Sequence, residues 1–250
     1  MRGTIFSITG TDTGVGKTVL TALLARHLRE RGVRVAALKP ICSGGRDDAR
    51  TVHAALNGAL TRQEINPWHF RSPLAPLLAA RRERKRVRLA QVVKHIRSIQ
   101  MRFDVVLVEG AGGLLSPLGD GFDLRDLIAA LRAMPIVVCP NRLGAVNQAR
   151  LVIEALPGTA ARRAQLVLVD PPRLDPAAQT NSQLLAELLG KTPIHRLPWL
   201  RRWKDLEECL RNSRVHRTCA GLTRSAIRSA FPPSRGAIAP LRRDGVRRSG

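Results

Sequence analysis

Residues 10–18 read GTDTGVGKT and pass directly from a β-branched run into apolar residues at helical spacing. Glycines at this point let backbone N–H groups converge on phosphate oxygens, and the start of a helix adds partial positive charge. In such a loop Lys17 can reach the outer phosphates and the Thr18 hydroxyl can ligate Mg²⁺. The match to G-x-x-x-x-G-K-[ST] is not strict, because Thr11 stands where Gly is required and Gly10 comes one residue early. The chemistry implied is nucleoside-triphosphate binding.

Two further loops carry groups suited to the same task. KPICSG, residues 39–44, puts Lys39 at the end of an apolar strand, where a buried ammonium needs anions to offset its desolvation, and Ser43 follows it. VEGAGGLLSPL, residues 108–118, puts Glu109 at another strand end as an acidic Mg²⁺ ligand or water holder. Gly110, Gly112 and Gly113 after it, with Ala111 between them, allow close backbone approach to a ligand. Asp47 and Asp48 offer a hard oxygen ligand or simply cap a helix, and the sequence leaves that choice open.

Strands are expected at 4–9, 34–38, 104–109, 136–140, 165–169 and 193–197, with apolar helical patterns between them. Alternation of this kind predicts an α/β fold, a P-loop-containing parallel sheet with helices on both faces in three layers. Ligands then sit in the loops at the carboxyl ends of the strands. Residues 1–209 are expected to form a single domain and residues 210–250 a basic, poorly ordered tail, since 201–250 hold 13 basic and 4 acidic side chains.

The net charge of +23 would by itself suggest nucleic acid or an anionic membrane. Arginine supplies 36 of the 42 basic residues and tyrosine is absent, which reads as compositional drift, so no nucleic-acid or membrane partner is expected. The four cysteines show no zinc spacing, and the amino terminus has no hydrophobic signal core; reduced thiols and a cytoplasmic location are expected.

Taken together, GTDTGVGKT, KPICSG, DDA at 47–49, NPWHF followed by SPLAP, VEGAGGLLSPL, NRLGAVN at 141–147 and LPWL at 197–200 resemble the ATP-dependent dethiobiotin synthase family, in the family's order. The resemblance implies a cytoplasmic homodimeric ligase of biotin biosynthesis that closes the ureido ring of dethiobiotin from 7,8-diaminopelargonate, CO2 and MgATP. It implies Lys39 and Lys17 as catalytic cations, Thr18, Asp48 and Glu109 as Mg²⁺ ligands, and Gly14, Val15, Gly16, Lys17, Thr18 and Val19 as the nucleotide cradle. Thr11, Ser43 and the segment Gly144, Ala145, Val146, Asn147 become substrate contacts, the last across a subunit interface. Val169, Asp170, Pro198, Trp199 and Leu200 border the purine.

Two departures from the family stand out. Val169 replaces an asparagine that reads the adenine edge, which implies loose nucleotide choice, and the tail beyond Cys209 does not align, which implies that deletion after residue 212 leaves turnover intact. The alternatives are a partitioning or division-type switch ATPase and a degenerate nucleotide-binding homologue. Against the first, Asp12 stands where such switches carry a signature lysine.

Overall fold

The computed structural model describes residues 3–230. In chain order it contains β1 (Thr4–Gly10), α1 (Lys17–Arg29), β2 (Val35–Leu38), β3 (Ile41–Ser43), α2 (Asp47–Ala55), α3 (Arg62–Ile65) and β4 (Trp68–Phe70). There follow α4 (Pro76–Arg82), α5 (Leu89–Gln100), β5 (Val105–Glu109), β6 (Pro117–Gly119), β7 (Phe122–Asp123), α6 (Leu124–Leu131) and β8 (Met134–Pro140). The chain continues through α7 (Ala145–Ala155), α8 (Gly158–Ala161), β9 (Gln165–Val169), α9 (Pro176–Leu189), β10 (Ile194–Leu197), α10 (Leu206–Arg211) and α11 (Ser213–Ala230).

Six strands form one parallel sheet in the order β10-β9-β8-β1-β5-β2. Its central strands are apolar on both faces: Ile5, Phe6 and Ile8 of β1 and all of Val105–Val108 are buried, as a sheet covered by helices on each side requires. Helix α1 packs with α2, α10 and α11, while α6 packs with α5 and α7 with α9. The result is the three-layer α/β/α arrangement that the alternating pattern predicts. All six expected strands occur, within two residues of their predicted starts.

Two small pairings lie outside the predicted pattern. Strands β3 and β4 pair in parallel, Ile41 with Trp68 and Ser43 with Phe70, and bring the 39–44 and 66–76 segments side by side. Strands β6 and β7 form a short antiparallel pair after the Gly-rich loop.

The carboxyl-terminal segment also differs from expectation. Helix α11 extends beyond residue 209 and packs against α1 and β10, with Val215, Cys219 and Leu222 fully buried. The part of the expected tail at 231–250 lies outside the described residues.

Candidate active site

The carboxyl ends of β1, β2 and β5 meet at the centre of the sheet. Leu38 of β2 pairs with Val108 of β5, so Lys39 and Glu109, the next residue on each strand, emerge side by side. Ile8 of β1 pairs with Glu109, which places the loop from Gly10 to Gly16 beside both. In that loop Gly14 has φ +74° and Gly16 φ +100°, a left-handed backbone that strains any residue bearing a Cβ. Helix α1 then begins at Lys17, its first N–H groups aimed into the cavity.

Lys39 Nζ donates to Glu109 Oε1 at 2.6 Å and to Asp48 Oδ2 at 2.8 Å, with only 3% of the lysine exposed. Burial alone would pull its pKa down, but the Glu109 and Asp48 carboxylates outweigh that and hold it above the ordinary lysine value. The same lysine helps keep Asp48 below the usual carboxylate range against the opposing effect of burial. Thr18 Oγ1 donates to Glu109 Oε1 at 2.7 Å, and Lys17 Nζ donates to the Asp12 carbonyl at 2.6 Å. Burial, reinforced by the nearby Lys39 charge, lowers the Lys17 pKa to about 8. Two lysines and two carboxylates thus share one cluster, buried except for the half-exposed Asp48.

The second carboxylate oxygen of Glu109, Oε2, is buried and has no hydrogen-bond partner among the described residues. An orphaned anionic acceptor beside the Thr18 hydroxyl and Asp48 fits a hard cation, since Mg²⁺ is normally held by one or two carboxylates together with phosphates and water. Asp47 points elsewhere: its side chain is 90% exposed and pairs with Arg50 at 3.3 Å. Of the two adjacent aspartates, Asp48 therefore faces the cluster.

A cavity of about 690 Å³ surrounds these groups, lined also by Gly14, Gly16, Val19, Ser43, Ala111 and Gly112. Ser43 Oγ donates to the Leu74 carbonyl at 2.6 Å, tying β3 to the 73–76 turn on the far wall. Thr13, Cys42, Ser116, Trp203 and the Pro73–Pro76 turn complete the lining. These the residue-by-residue reading missed, although KPICSG and SPLAP contain Cys42 and the turn.

A second cavity of about 510 Å³ joins the first through Gly14, Gly16 and Val19. Val15, Val169, Asp170, Pro198, Trp199 and Leu200 line it, as do Pro171, Pro172, Asn141 and Arg142. The Asp170 carboxylate accepts from Asn141 Nδ2 at 2.8 Å, Arg196 Nε at 3.1 Å and Nη2 at 3.0 Å, and Arg214 Nη2 at 3.2 Å. Asn141 in turn donates to the Ala178 carbonyl and accepts from Asn181.

The remaining expected contacts lie apart from both cavities. Thr11, within the phosphate loop, is half-buried with its hydroxyl without a partner among the described residues, and Gly110 packs against Leu124. Gly144, Ala145, Val146 and Asn147 form the start of α7 outside either cavity.

An AAA domain family model matches residues 4–205. The chain is 37% identical over 217 residues to the ATP-dependent dethiobiotin synthetase BioD of Anaeromyxobacter sp. strain Fw109-5, covering 85% of this chain and 96% of that protein. It is 40% identical over 204 residues to the BioD protein of Anaeromyxobacter dehalogenans strain 2CP-C, covering 80% and 91%. Similar solved structures include the MinD cell division protein of Aquifex aeolicus, with TM-score 0.57 and 15% identity over 90% of this chain and 97% of that one. A ParA family ATPase from Chlorobium tepidum TLS has TM-score 0.51 and 15% identity, covering 92% and 99%. At that identity these two structures share the fold alone.

Proposed function

The chain belongs to the ATP-dependent dethiobiotin synthetase family, and we propose that the Lys39–Glu109–Asp48 cluster is where its reaction takes place. The protein is an ATP-dependent ligase of biotin biosynthesis, forming carbon–nitrogen bonds to make dethiobiotin. The observation that carries the assignment of the site is Lys39, buried and charged, held between two carboxylates next to the phosphate loop.

The diamine is 7,8-diaminopelargonate. One of its amines captures CO2 as a carbamate, whose oxygen attacks the γ-phosphorus of ATP in line and displaces ADP. The resulting carbamic–phosphoric anhydride is attacked at its carbonyl by the second amine; the C–O bond breaks, phosphate leaves with the electron pair, and the ureido ring closes.

Carbamate and triphosphate are both anions, so their approach must be made electrostatically affordable. Lys17 from the phosphate loop and Lys39 from the end of β2 supply fixed positive charge on the two sides of the transferring phosphoryl group. The first N–H groups of α1 hold the phosphates, and the Pro73–Pro76 turn with Ser43 closes the substrate wall. Thr18, Asp48 and Glu109 would hold Mg²⁺, which when bound neutralises phosphate charge.

The adenosine end belongs in the second cavity, between Val169 and the Pro198–Leu200 loop. A homodimer is part of the proposal: Leu143 is 85% and Leu151 62% exposed on and before α7, the segment whose amino end would meet the partner's substrate. Among the described residues no helix is long and apolar enough to cross a membrane. We place the enzyme in the cytoplasm.

The decisive experiment measures ADP release with Mg²⁺, bicarbonate and ATP, with and without 7,8-diaminopelargonate, for the native protein and Lys39→Ala. Diamine-dependent ADP release matched by dethiobiotin and lost in the variant is expected. ADP release indifferent to the diamine would reject the assignment.

A further inference from the structure

We propose that Arg214 is a positioning residue of the nucleotide site, acting through Asp170 to fix the wall against which the base packs. The proposal rests on the assignment of the second cavity to the adenosine end. Arg214 belongs to α11 and lies outside the matched family region, which ends at residue 205.

Asp170 follows β9 directly and is only 3% exposed, so its charge must be met by the protein. Among the described residues four donor contacts reach it: one from Asn141, two from Arg196 and one from Arg214. A carboxylate has about four acceptor positions, so the set is full with Arg214 and incomplete without it. Neither arginine lines the cavity, whereas Asp170 does. They grip the wall from behind.

The wall has few other ties. Pro171 and Pro172 carry no N–H, and the adjoining backbone is held by Asn141 N to the Val169 carbonyl and Asp170 N to the Leu197 carbonyl, both 2.8 Å. Helix α11 is fastened to the same place a second time, because Thr218 Oγ1 donates to the Arg196 carbonyl at 2.6 Å. The carboxyl-terminal helix thereby braces the strand ends that frame the base cavity.

The test compares binding of a fluorescent ATP analogue, KM for ATP, KM for the diamine and melting temperature across four variants. Arg214→Ala is expected to weaken nucleotide binding and raise KM for ATP by about tenfold, the scale of one charge-assisted hydrogen bond. KM for the diamine stays within about twofold on the same reasoning, because the wall does not reach the lysine cluster. Arg214→Lys recovers part of the loss. Val215→Ala, which removes buried apolar volume on the same helix and no hydrogen bond to Asp170, lowers the melting temperature and leaves nucleotide affinity intact. Val169→Trp, which fills the cavity, abolishes nucleotide binding. If Arg214→Ala merely lowers the melting temperature as Val215→Ala does, while Val169→Trp still blocks binding, the positioning role is overturned. If Val169→Trp leaves binding unchanged, the assignment of the cavity is overturned instead.

Discussion

Lys39 and Glu109 leave neighbouring parallel strands one residue after the last paired position and meet at 2.6 Å, each with no more than 3% exposure. Removing Lys39 strands the Glu109 charge in the interior, which costs far more than the net worth of the pair, whereas removing Glu109 still leaves Lys39 its 2.8 Å contact with Asp48.

Lys39→Met should therefore do two separable things. Turnover falls by at least about 100-fold through loss of a preorganised cation, and the unpaired Glu109 lowers unfolding free energy by about 3 kcal/mol. Adding Glu109→Gln removes the stranded charge. The double variant is expected to recover most of the stability and none of the turnover, read by urea unfolding and diamine-dependent ADP release; recovery of both would show that the pair is only structural.

The base cavity predicts loose nucleotide choice. Asp170 has its acceptor positions filled and Asn141 spends both amide N–H donors on Asp170 and Ala178 while accepting from Asn181, so neither offers a paired donor and acceptor to the adenine edge. Val169 lies against the Gly16 position, where an added Cβ would meet its Cγ2 at 3.5 Å, and it offers no hydrogen bond. GTP and CTP should support turnover within about tenfold of ATP, the scale of a single contact of about 1.4 kcal/mol. Competition assays check this. Selectivity above about a hundredfold would sink it.

Much of this was legible in the sequence because a central parallel strand announces itself by a run of buried apolar residues, as Val105–Val108 does, and because the phosphate loop is local. Helix α11 was harder. Val215, Cys219 and Leu222 do follow a helical 4,3 spacing, but Arg214, Arg217 and Arg224 interrupt them and make the stretch read as a solvated tail. The Arg214–Asp170 contact joins residues 44 positions apart, and no local pattern encodes it. Strands β3 and β4 are three residues each, too short to show a period, and only their pairing reveals them.

Truncation separates the helix from the residues that follow it. Stopping at residue 212 removes the buried Val215, Cys219 and Leu222 together with the Arg214 contact, contrary to the expectation that turnover survives. The lost burial is on the order of 5 kcal/mol, comparable to the entire stability of many domains. The shortened protein is expected to be insoluble or to melt far below the full chain, whereas a chain ending at residue 230 retains the helix. Equal melting temperatures for the 212 and full-length forms would refute this account.

The same helix makes stability depend on pH. His27 of α1 is fully buried, takes a 3.1 Å contact from Arg31 at Nδ1, leaves Nε2 without a partner, and meets the His216 ring of α11 edge-on at 5.3 Å. Burial, then the positive charge of Arg31 and the neighbouring His216, lowers its pKa from 6.5 to about 4. Because the unfolded chain binds this proton more readily, the contribution is fully present above pH 6.5, declines as the pH falls, and is exhausted below about 4. Between pH 7.5 and 5 that amounts to about 2 kcal/mol. His27→Leu keeps an apolar side chain in the space and removes the titration, so its urea-unfolding free energy should fall less steeply over this interval by that amount. Parallel pH profiles for the two proteins would show that His27 is protonated as easily in the fold as out of it.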